Sequence, residues 1–144
     1  MMKVSPYLHF NGNCREAFDY YRQVFGGEFL AFQTFREMPV EYKVDESMHH
    51  LIMHVTLPIG KDTMLMGSDM AEGTGQQFKA GNNFSISVAA DNEKHCHSLF
   101  ESLTNGGEVI MPVSQTFWGS MFGMCIDKFD ISWMISYDIN SGDS

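Results

Sequence analysis

Two stretches of this chain repeat one spacing of apolar residues, and each is followed by a Gly-Gly pair, Gly26-Gly27 or Gly106-Gly107. The apolar residues stand at i, i+3, i+4 and i+7: Cys14, Ala17, Phe18 and Tyr21 in the first copy, and Cys96, Leu99, Phe100 and Leu103 in the second. This spacing places them on one face of an α-helix. Each helix is predicted to end at its Gly-Gly pair, because glycine readily adopts the left-handed conformation of a helix C-terminus.

Alternating apolar and polar residues predict strands around both helices. A strand over 4–10 leads into the first helix, whose start resembles a capping box of Asn13 and Glu16. The strands predicted after this helix span 28–36, 48–57 and 63–68, with a loop at 38–47. The second copy repeats the order, with a strand at 84–88, a helix at 91–105 and strands at 108–113, 117–126 and 131–137.

The order of strand, helix and three strands therefore occurs twice. We expect a single domain over residues 1–144, built from modules 1–70 and 83–139 and joined by a polar, glycine-containing linker at 71–82. The modules should pack together, because neither can bury its apolar helix face alone. The predicted fold class is α+β, with tandem βαβββ modules that form curved antiparallel sheets around a concave cavity.

Two predicted strands carry polar side chains on one face. In the strand at 48–57, one face holds Leu51, Met53, Val55 and Leu57, and the other holds His50, Ile52, His54 and Thr56. His54 is the candidate cavity donor or general base, since an imidazole titrates near neutral pH; a structural histidine is the alternative. Ser85 and Ser87 alternate with apolar residues and are candidate hydrogen-bond donors in a pocket, or else exposed serines.

The net charge and the cysteine content limit the classes of binding partner and the cellular compartment that we expect. The formal net charge of −9 disfavours nucleic acid and anionic membrane surfaces as partners. No apolar run approaches about 18 residues and no signal sequence is evident, so we expect no membrane span and a cytoplasmic location. Cys14, Cys96 and Cys125 lack CxxC spacing and are predicted to be small buried hydrophobes in a reducing compartment.

Short motifs along the whole chain suggest a family. They are Ser5-Pro6-Tyr7-Leu8, Phe10-Asn11-Gly12-Asn13, Tyr20-Tyr21, Met64-Leu65-Met66-Gly67-Ser68-Asp69, Thr116-Phe117-Trp118-Gly119, Phe122-Gly123, Asp127-Lys128-Phe129 and Trp133-Met134-Ile135. In this order they resemble the PhnB-like branch of the glyoxalase/bleomycin-resistance superfamily, whose members are also called vicinal oxygen chelates. Relatives usually have Gly where this chain has Asp130, so the turn after Phe129 is expected to differ in shape.

The resemblance implies a homodimer with cavities formed where modules meet, but it does not imply one reaction. The superfamily includes isomerases, dioxygenases, epoxide-opening transferases and proteins that bind drugs without catalysis. Members of the branch are sometimes labelled demethylubiquinone methyltransferases. The sequence does not support that label, because it has no Gly-rich loop between a strand and a helix to hold a nucleotide-like cofactor.

Enzymes of this superfamily typically hold a divalent metal ion with His and Glu side chains. Aligned on the helices and Gly-Gly pairs, the usual ligand positions fall on Pro6, on Asn83 or Phe84, on Met134 and within 64–66. None of these positions carries His or Glu, so we expect no metal and no other cofactor. Other histidines do not supply a replacement: His50 and His54 lie about 13 Å apart on an extended strand, and His9 is the only histidine on its strand.

Three functions remain open from the sequence. The first is a dimer whose cavity binds a small organic molecule without a metal ion, lined by Trp118, His54, Ser85, Ser87 and Tyr7. An aromatic wall of Phe117-Trp118 and Trp133 would stack on a flat or cationic ligand, unless these rings belong to the core or the dimer interface. The second is a lyase or isomerase with a metal site at a different position, and the third is a dimeric scaffold without catalysis.

Overall fold

The computed structural model describes residues 2–39, 44–70 and 77–139. The chain divides into two compact units, Met1–Lys79 and Ala80–Ser144. The first unit contains β1 (Tyr7–Phe10), α1 (Cys14–Phe25), β2 (Ala31–Thr34), β3 (Ile52–Ile59) and β4 (Thr63–Asp69), with short 3-10 turns at Phe35–Glu37 and Glu46–Met48. Its strands form one sheet in the order β1-β4-β3-β2, in which only the β1–β4 pair is parallel.

The second unit repeats this plan. It contains β5 (Ile86–Ala89), α2 (Glu93–Thr104), β6 (Glu108–Gln115), β7 (Ser120–Ile126) and β8 (Ser132–Asp138), with the sheet order β5-β8-β7-β6. The α+β class and the repeated βαβββ order are confirmed. Two of the three strand pairs in each sheet are antiparallel, as predicted, but the sheets are mixed, because the first strand of each unit pairs in parallel with the last. A helix follows that first strand, and such a long connection is what parallel pairing requires.

The two apolar stripes form the helix side of each core, as predicted. In the first unit Cys14, Ala17, Phe18 and Tyr21 are fully buried, together with the strand residues Leu8, Phe10, Val55, Leu57 and Leu65. In the second unit the buried set is Cys96, Leu99, Leu103, Cys125, Trp133 and Ile135. Burial of each Val, Leu, Ile and Phe side chain among them contributes about 1.5–3 kcal/mol to folding, so the stripes fix which face of each sheet its helix covers.

A phenylalanine of each helix packs onto a glycine of its sheet. A Cβ atom added at Gly67 would lie 2.6 Å from the ring of Phe18, and one added at Gly123 would lie 2.8 Å from the ring of Phe100. Gly67 stands opposite Val55 in the β3–β4 pair, and Gly123 stands opposite Ile135 in the β7–β8 pair. These contacts leave no room for a side chain at either glycine, because protein cores are closely packed.

The first helix is capped by a residue from the far end of the unit. Asp69, only 3% exposed, accepts hydrogen bonds from the backbone N–H groups of Gly12 at 3.0 Å and Cys14 at 2.9 Å through Oδ1. Its Oδ2 accepts a third from Ile52 at 2.9 Å. The predicted capping box is wrong, since the side chain of Asn13 makes no capping hydrogen bond. In α2, by contrast, the Asn92 side chain caps the helix by accepting from the His95 N–H.

The third strand begins later than predicted. β3 starts at Ile52, and an irregularity in its pairing with β2 leaves Met53 as an extra residue, because Gln33 pairs with His54 and Thr34 with Ile52. The extra residue reverses the alternation of side chains between the two faces. Ile52 is therefore fully buried, and its predicted position on the polar face is wrong. His49 and His50 precede the strand in a turn, so their predicted placement on it is also wrong.

The turn between β7 and β8 is organised around a second buried carboxylate. Asp127, only 2% exposed, accepts hydrogen bonds from the N–H groups of Phe129 and Ile131 through Oδ1 and from the indole N–H of Trp133 through Oδ2. Asp130 lies within this turn at φ 68°, a left-handed conformation that glycine adopts without strain. The backbone at Asp130 therefore has a conformation that suits glycine, the residue that the family resemblance implies at this position.

Replacement of Asp69 by asparagine tests the role of its carboxylate. Asp69→Asn turns one acceptor oxygen into an NH₂ donor, so at least one buried N–H loses its acceptor. We expect the free energy of unfolding to fall by about 3 kcal/mol, measured by urea denaturation. Asp62→Asn, at an exposed position in the turn before β4, is the matched control and should change stability by no more than about 0.5 kcal/mol. Equal losses in the two variants would refute this role.

Two substitutions at one position test the backbone of the second turn. Asp130→Val places a β-branched residue at a positive φ and should lower the free energy of unfolding by about 2 kcal/mol. Asp130→Gly should stay within about 1 kcal/mol of the parent chain, because glycine adopts this conformation freely. Thermal and urea unfolding of both variants measure the difference. Valine tolerated as well as glycine would contradict the left-handed conformation.

Candidate functional site

The face of the first sheet opposite α1 gathers most of its polar side chains. We call it the histidine face; it consists of Tyr7, His9, Gln33, His54, Thr56, Met66 and Ser68. The strand register brings these residues together: Tyr7 pairs with Met66, His9 with Ser68, Gln33 with His54, and Thr56 with Met66. The strand residues that alternate with them on β1, β3 and β4 point to the other face, where Leu8, Phe10, Val55, Leu57 and Leu65 are buried in the core that includes α1. The core contacts therefore determine the direction of the polar side chains.

Three side chains of the histidine face form a hydrogen-bonded chain. The hydroxyl of Tyr7 lies 3.1 Å from Nδ1 of His54, and Nε2 of His54 lies 2.8 Å from Oγ1 of Thr56. Thr56 is 6% exposed, whereas Tyr7 is 38% exposed. The imidazole thus has one buried partner that fixes its orientation and one partner that reaches the surface. Such an arrangement can bind a polar group and can pass a proton between the surface and the ring.

His9 is a member of this cluster that the sequence analysis missed. Its ring centroid lies 5.2 Å from that of Tyr7, and Tyr7 in turn lies 5.6 Å from the ring of His54. The sequence gives His9 no histidine partner, because it is the only histidine on its strand. The available signal was the spacing of Tyr7 and His9, since residues i and i+2 of a strand lie on the same face.

In the second unit, the face opposite α2 is mainly apolar. We call it the methionine face; it consists of Ser87, Met111, Phe122, Met124, Met134 and Ser136. Ser87 pairs with Met134, Met134 with Met124, and Phe122 with Ser136. Ser87 is exposed and lies on this face as its alternation predicted, while Ser85 is half-buried and precedes β5. Ser87 thus lies beside Met134, a polarizable side chain that adapts to a ligand's shape.

Trp118 lies at the edge of the methionine face. It occupies the turn before β7, and its ring centroid is 6.2 Å from that of Phe122 and 5.0 Å from that of Phe117. Trp118 is 58% exposed and Phe117 is 97% exposed. The prediction that the strand starts at Phe117 is wrong, because the chain turns there and β7 begins at Ser120.

Trp133 does not join this aromatic group. It is 1% exposed in the core of the second unit, and its indole N–H donates to Asp127. The idea that Trp133 belongs to a ligand-stacking wall is therefore wrong. Its register position opposite Cys125 and Ile86 places it on the face that α2 covers.

The three cysteines are free and buried, as predicted from their positions. Burial raises the pKa of the Cys14 thiol, and the Asp69 carboxylate raises it further. Burial raises the pKa of Cys125 to about 11, with a smaller contribution from Asp127, and burial also raises the pKa of Cys96. Since the thiolate is the reactive form of cysteine, these thiols are poor nucleophiles at neutral pH.

The side chains present do not fit a divalent metal ion at the positions where the superfamily resemblance implies one. Those positions carry Pro6, Asn83 or Phe84, Met134 and the Met64–Met66 stretch. None of them is His or Glu, and proline and methionine do not replace these residues as ligands of such an ion. Across residues 2–39, 44–70 and 77–139, no three His, Cys, Asp or Glu side chains form a group able to hold a metal ion. His95 instead makes local contacts with Asp91 at the start of α2.

Two further observations concern a groove in the second unit and the length of the helices. A groove of about 410 Å³ in the second unit is lined by Ala80, Gly81, Asn82, Ile126, Asp130 and Ser132, and it includes none of the five predicted ligand-binding residues. Within the part of the chain that the structure describes, no helix is long and apolar enough to cross a membrane.

Comparison with known proteins places the chain among relatives of similar length. A family profile described as 3-demethylubiquinone-9 3-methyltransferase matches residues 2–136. Protein YjdN of Escherichia coli is 29% identical over 145 residues, covering 94% of this chain and 95% of YjdN. The structure of protein PA1353 from Pseudomonas aeruginosa is 36% identical, covers 96% of this chain and 98% of that protein, and superposes with a TM-score of 0.85.

More distant structures share the fold alone. The PhnB protein of Bacillus cereus is 21% identical with a TM-score of 0.74, covering 94% of this chain and 99% of that protein. The fosfomycin resistance protein FosX of Listeria monocytogenes is 8% identical with a TM-score of 0.62, covering 93% and 91%.

The raised pKa values of the thiols predict slow alkylation. In the folded chain, Cys125 should react slowly with iodoacetamide at pH 8 to 9 and faster only as the pH approaches its pKa of about 11. In urea, the same residue should react as an ordinary cysteine with a pKa of about 8.5. Mass spectrometry of peptides from samples quenched over time measures both rates. Rapid labelling of the folded chain at pH 8 would instead indicate a nucleophilic cysteine.

Proposed function

Because the chain belongs to the PhnB-like family of the glyoxalase/bleomycin-resistance superfamily, we propose that it binds a small organic molecule without using a metal ion. The binding residues we propose are Tyr7 and His54 on the histidine face, and Ser85, Ser87 and Trp118 at the methionine face. A methyltransferase activity, which the description of the family profile names, is not part of this proposal, since the sequence offers no Gly-rich loop between a strand and a helix to hold a nucleotide-like cofactor.

The observation that supports this proposal best is the chain of contacts from Tyr7 through His54 to Thr56. Binding sites are mostly apolar surfaces that carry a few fixed polar groups. Here the histidine is held by a buried threonine, so little side-chain entropy is lost when a ligand contacts it. On the methionine face, Trp118 and Phe122 offer aromatic surface close to Met124 and Met134, which suits a flat or apolar portion of a ligand.

We further propose that the protein works as a homodimer in the cytoplasm. β6 is an edge strand, and its Val109, Ile110 and Met111 are 48%, 46% and 43% exposed. Apolar side chains on an exposed edge strand favour association with another chain. Free cysteines at all three positions agree with a reducing compartment. Light scattering on purified protein would test the dimer directly.

The leading alternative is a lyase or isomerase that binds a divalent metal at a different position. Elemental mass spectrometry on untagged protein, before and after exposure to zinc, nickel, manganese and iron(II), separates the two functions. Retention of about one ion per subunit would favour the enzyme, because catalytic metals are held by three or more protein ligands. A dimeric scaffold is the other alternative, and it would bind neither a metal nor a small molecule.

Screening of organic fragments against EDTA-treated protein by ligand-observed NMR tests the proposed function. We expect at least one fragment whose binding becomes about tenfold weaker in His54→Ala, since the loss of one hydrogen bond to a ligand amounts to about 1.4 kcal/mol. The same variant should lose only about 1 kcal/mol of folding stability, because His54 is half-buried and its buried hydrogen-bond partner is Thr56.

His50→Ala is the matched control for this experiment, because His50 is an exposed histidine in the turn before β3. It should leave fragment binding unchanged. Loss of the dimer or of folding in His54→Ala would assign His54 to the structure and not to the site. No bound fragment from a diverse library, with an intact dimer, would favour the scaffold.

A further inference from the structure

The histidine face is rich in hydrogen-bond donors and has no carboxylate among its members. Its titratable side chains are Tyr7, His9 and His54, and Gln33, Thr56 and Ser68 add neutral polar groups. The one carboxylate on the four strands of this sheet, that of Asp69, accepts hydrogen bonds from the backbone N–H groups of Gly12, Cys14 and Ile52. The whole chain carries a net charge of −9. Among the members of the histidine face, however, an anion would meet hydrogen-bond donors and no acidic side chain.

The protonation state of His54 determines what Tyr7 can donate to. When the imidazole is neutral with its proton on Nε2, Nε2 donates to Thr56 and Nδ1 accepts from the Tyr7 hydroxyl. When the imidazole is protonated, both nitrogens are donors, so Nδ1 donates to the oxygen of Tyr7. The Tyr7 O–H must then turn away from the ring. Because Tyr7 is 38% exposed, this freed O–H is available to a ligand.

From this geometry we propose that the histidine face binds a small oxyanion, such as a carboxylate or a sulfate-like group, and that proton uptake by His54 redirects the Tyr7 hydroxyl to that anion. This inference rests on the proposed function and adds the chemical class of the ligand. The protonated imidazole supplies positive charge, and Tyr7 supplies a hydrogen bond to the anion, which is stronger than a bond between neutral groups. His9, 5.2 Å from Tyr7 between ring centroids, adds a second imidazole.

Among the described residues of the first unit, those that share the sheet face with His54 carry no acidic side chain. On the neighbouring strands, the residues of this face are Tyr7 and His9 on β1, Gln33 on β2, and Met66 and Ser68 on β4. The 3-10 turns before β3 carry Arg36, Glu37, Asp45 and Glu46. The carboxylates of Glu37 and Asp45 accept hydrogen bonds from the backbone of their own turns. α1 packs against the opposite face.

Titration of the full-length protein with sodium sulfate tests the proposal. Ionic strength is held constant with sodium chloride, and the histidine ring resonances are followed by NMR at pH 6 and pH 8. We expect sulfate to shift the ring signals of His54 and His9 at pH 6. Its affinity should be about tenfold lower at pH 8, because histidine side chains as a class change charge between about pH 5 and pH 8. A parallel titration with acetate shows whether a single carboxylate is sufficient.

Variants separate the roles of the two side chains. Tyr7→Phe keeps the ring and should weaken sulfate binding at pH 6 about tenfold, since it removes one hydrogen bond to the anion. His54→Gln should reduce the pH dependence to the part that His9 supplies, because glutamine does not titrate. His50→Gln and His97→Gln replace exposed histidines elsewhere in the chain and should change neither quantity.

Three results would overturn the inference: no binding of sulfate or acetate at pH 6, affinity that rises with pH, or undiminished binding in Tyr7→Phe. If neutral fragments still bind at His54 in that case, the proposed function stands and only the anion class is wrong. If neither anions nor fragments perturb the histidine face, both proposals fail.

Discussion

The Asp69 carboxylate holds together the parts of the first unit on which its candidate site depends. It binds the turn after β1, the first turn of α1 and the first residue of β3, and it does so from the last residue of β4. Gly12 follows the strand that carries Tyr7, and Ile52 precedes His54 by two residues. By fixing these strand ends, one buried side chain sets the register in which Tyr7 meets His54. The site and the helix cap therefore share one structural support.

The second unit reaches the same architecture with different polar contacts. Asn92 caps its helix locally, and its buried carboxylate, Asp127, organises the turn between β7 and β8 and binds the indole of Trp133. The face opposite the helix differs too, being mainly methionine in place of histidine and tyrosine. A repeated backbone plan thus presents two surfaces of different chemistry, one suited to polar recognition and the other to apolar contact.

Patterns within one element predicted most of this fold, while contacts between distant residues did not follow from them. The apolar stripes that begin at Cys14 and Cys96 were sufficient to predict the two helices. The alternation around His54 was sufficient to predict that His54 and Thr56 share a polar face. The sequence could not show that Asp69, 55 residues away, replaces Asn13 as the cap of Cys14. The extra residue at Met53, which buries Ile52, depends on how β3 pairs with β2. Tyr7 and His54 were both candidates, but their hydrogen bond spans 47 residues.

The contacts of Phe18 and Phe100 show that the two halves have become distinct in their cores. In the first sheet the helix phenylalanine lies over Gly67 of β4, with the β-branched Val55 beside it on β3. In the second sheet the glycine, Gly123, is on β7, and the β-branched Ile135 is on β8. The same recess for a phenyl ring is thus made by exchanging the small and large residues between neighbouring strands. A graft of one hairpin into the other half would set a branched side chain beneath the ring and leave a hole beside it, so the duplicated halves are no longer interchangeable parts.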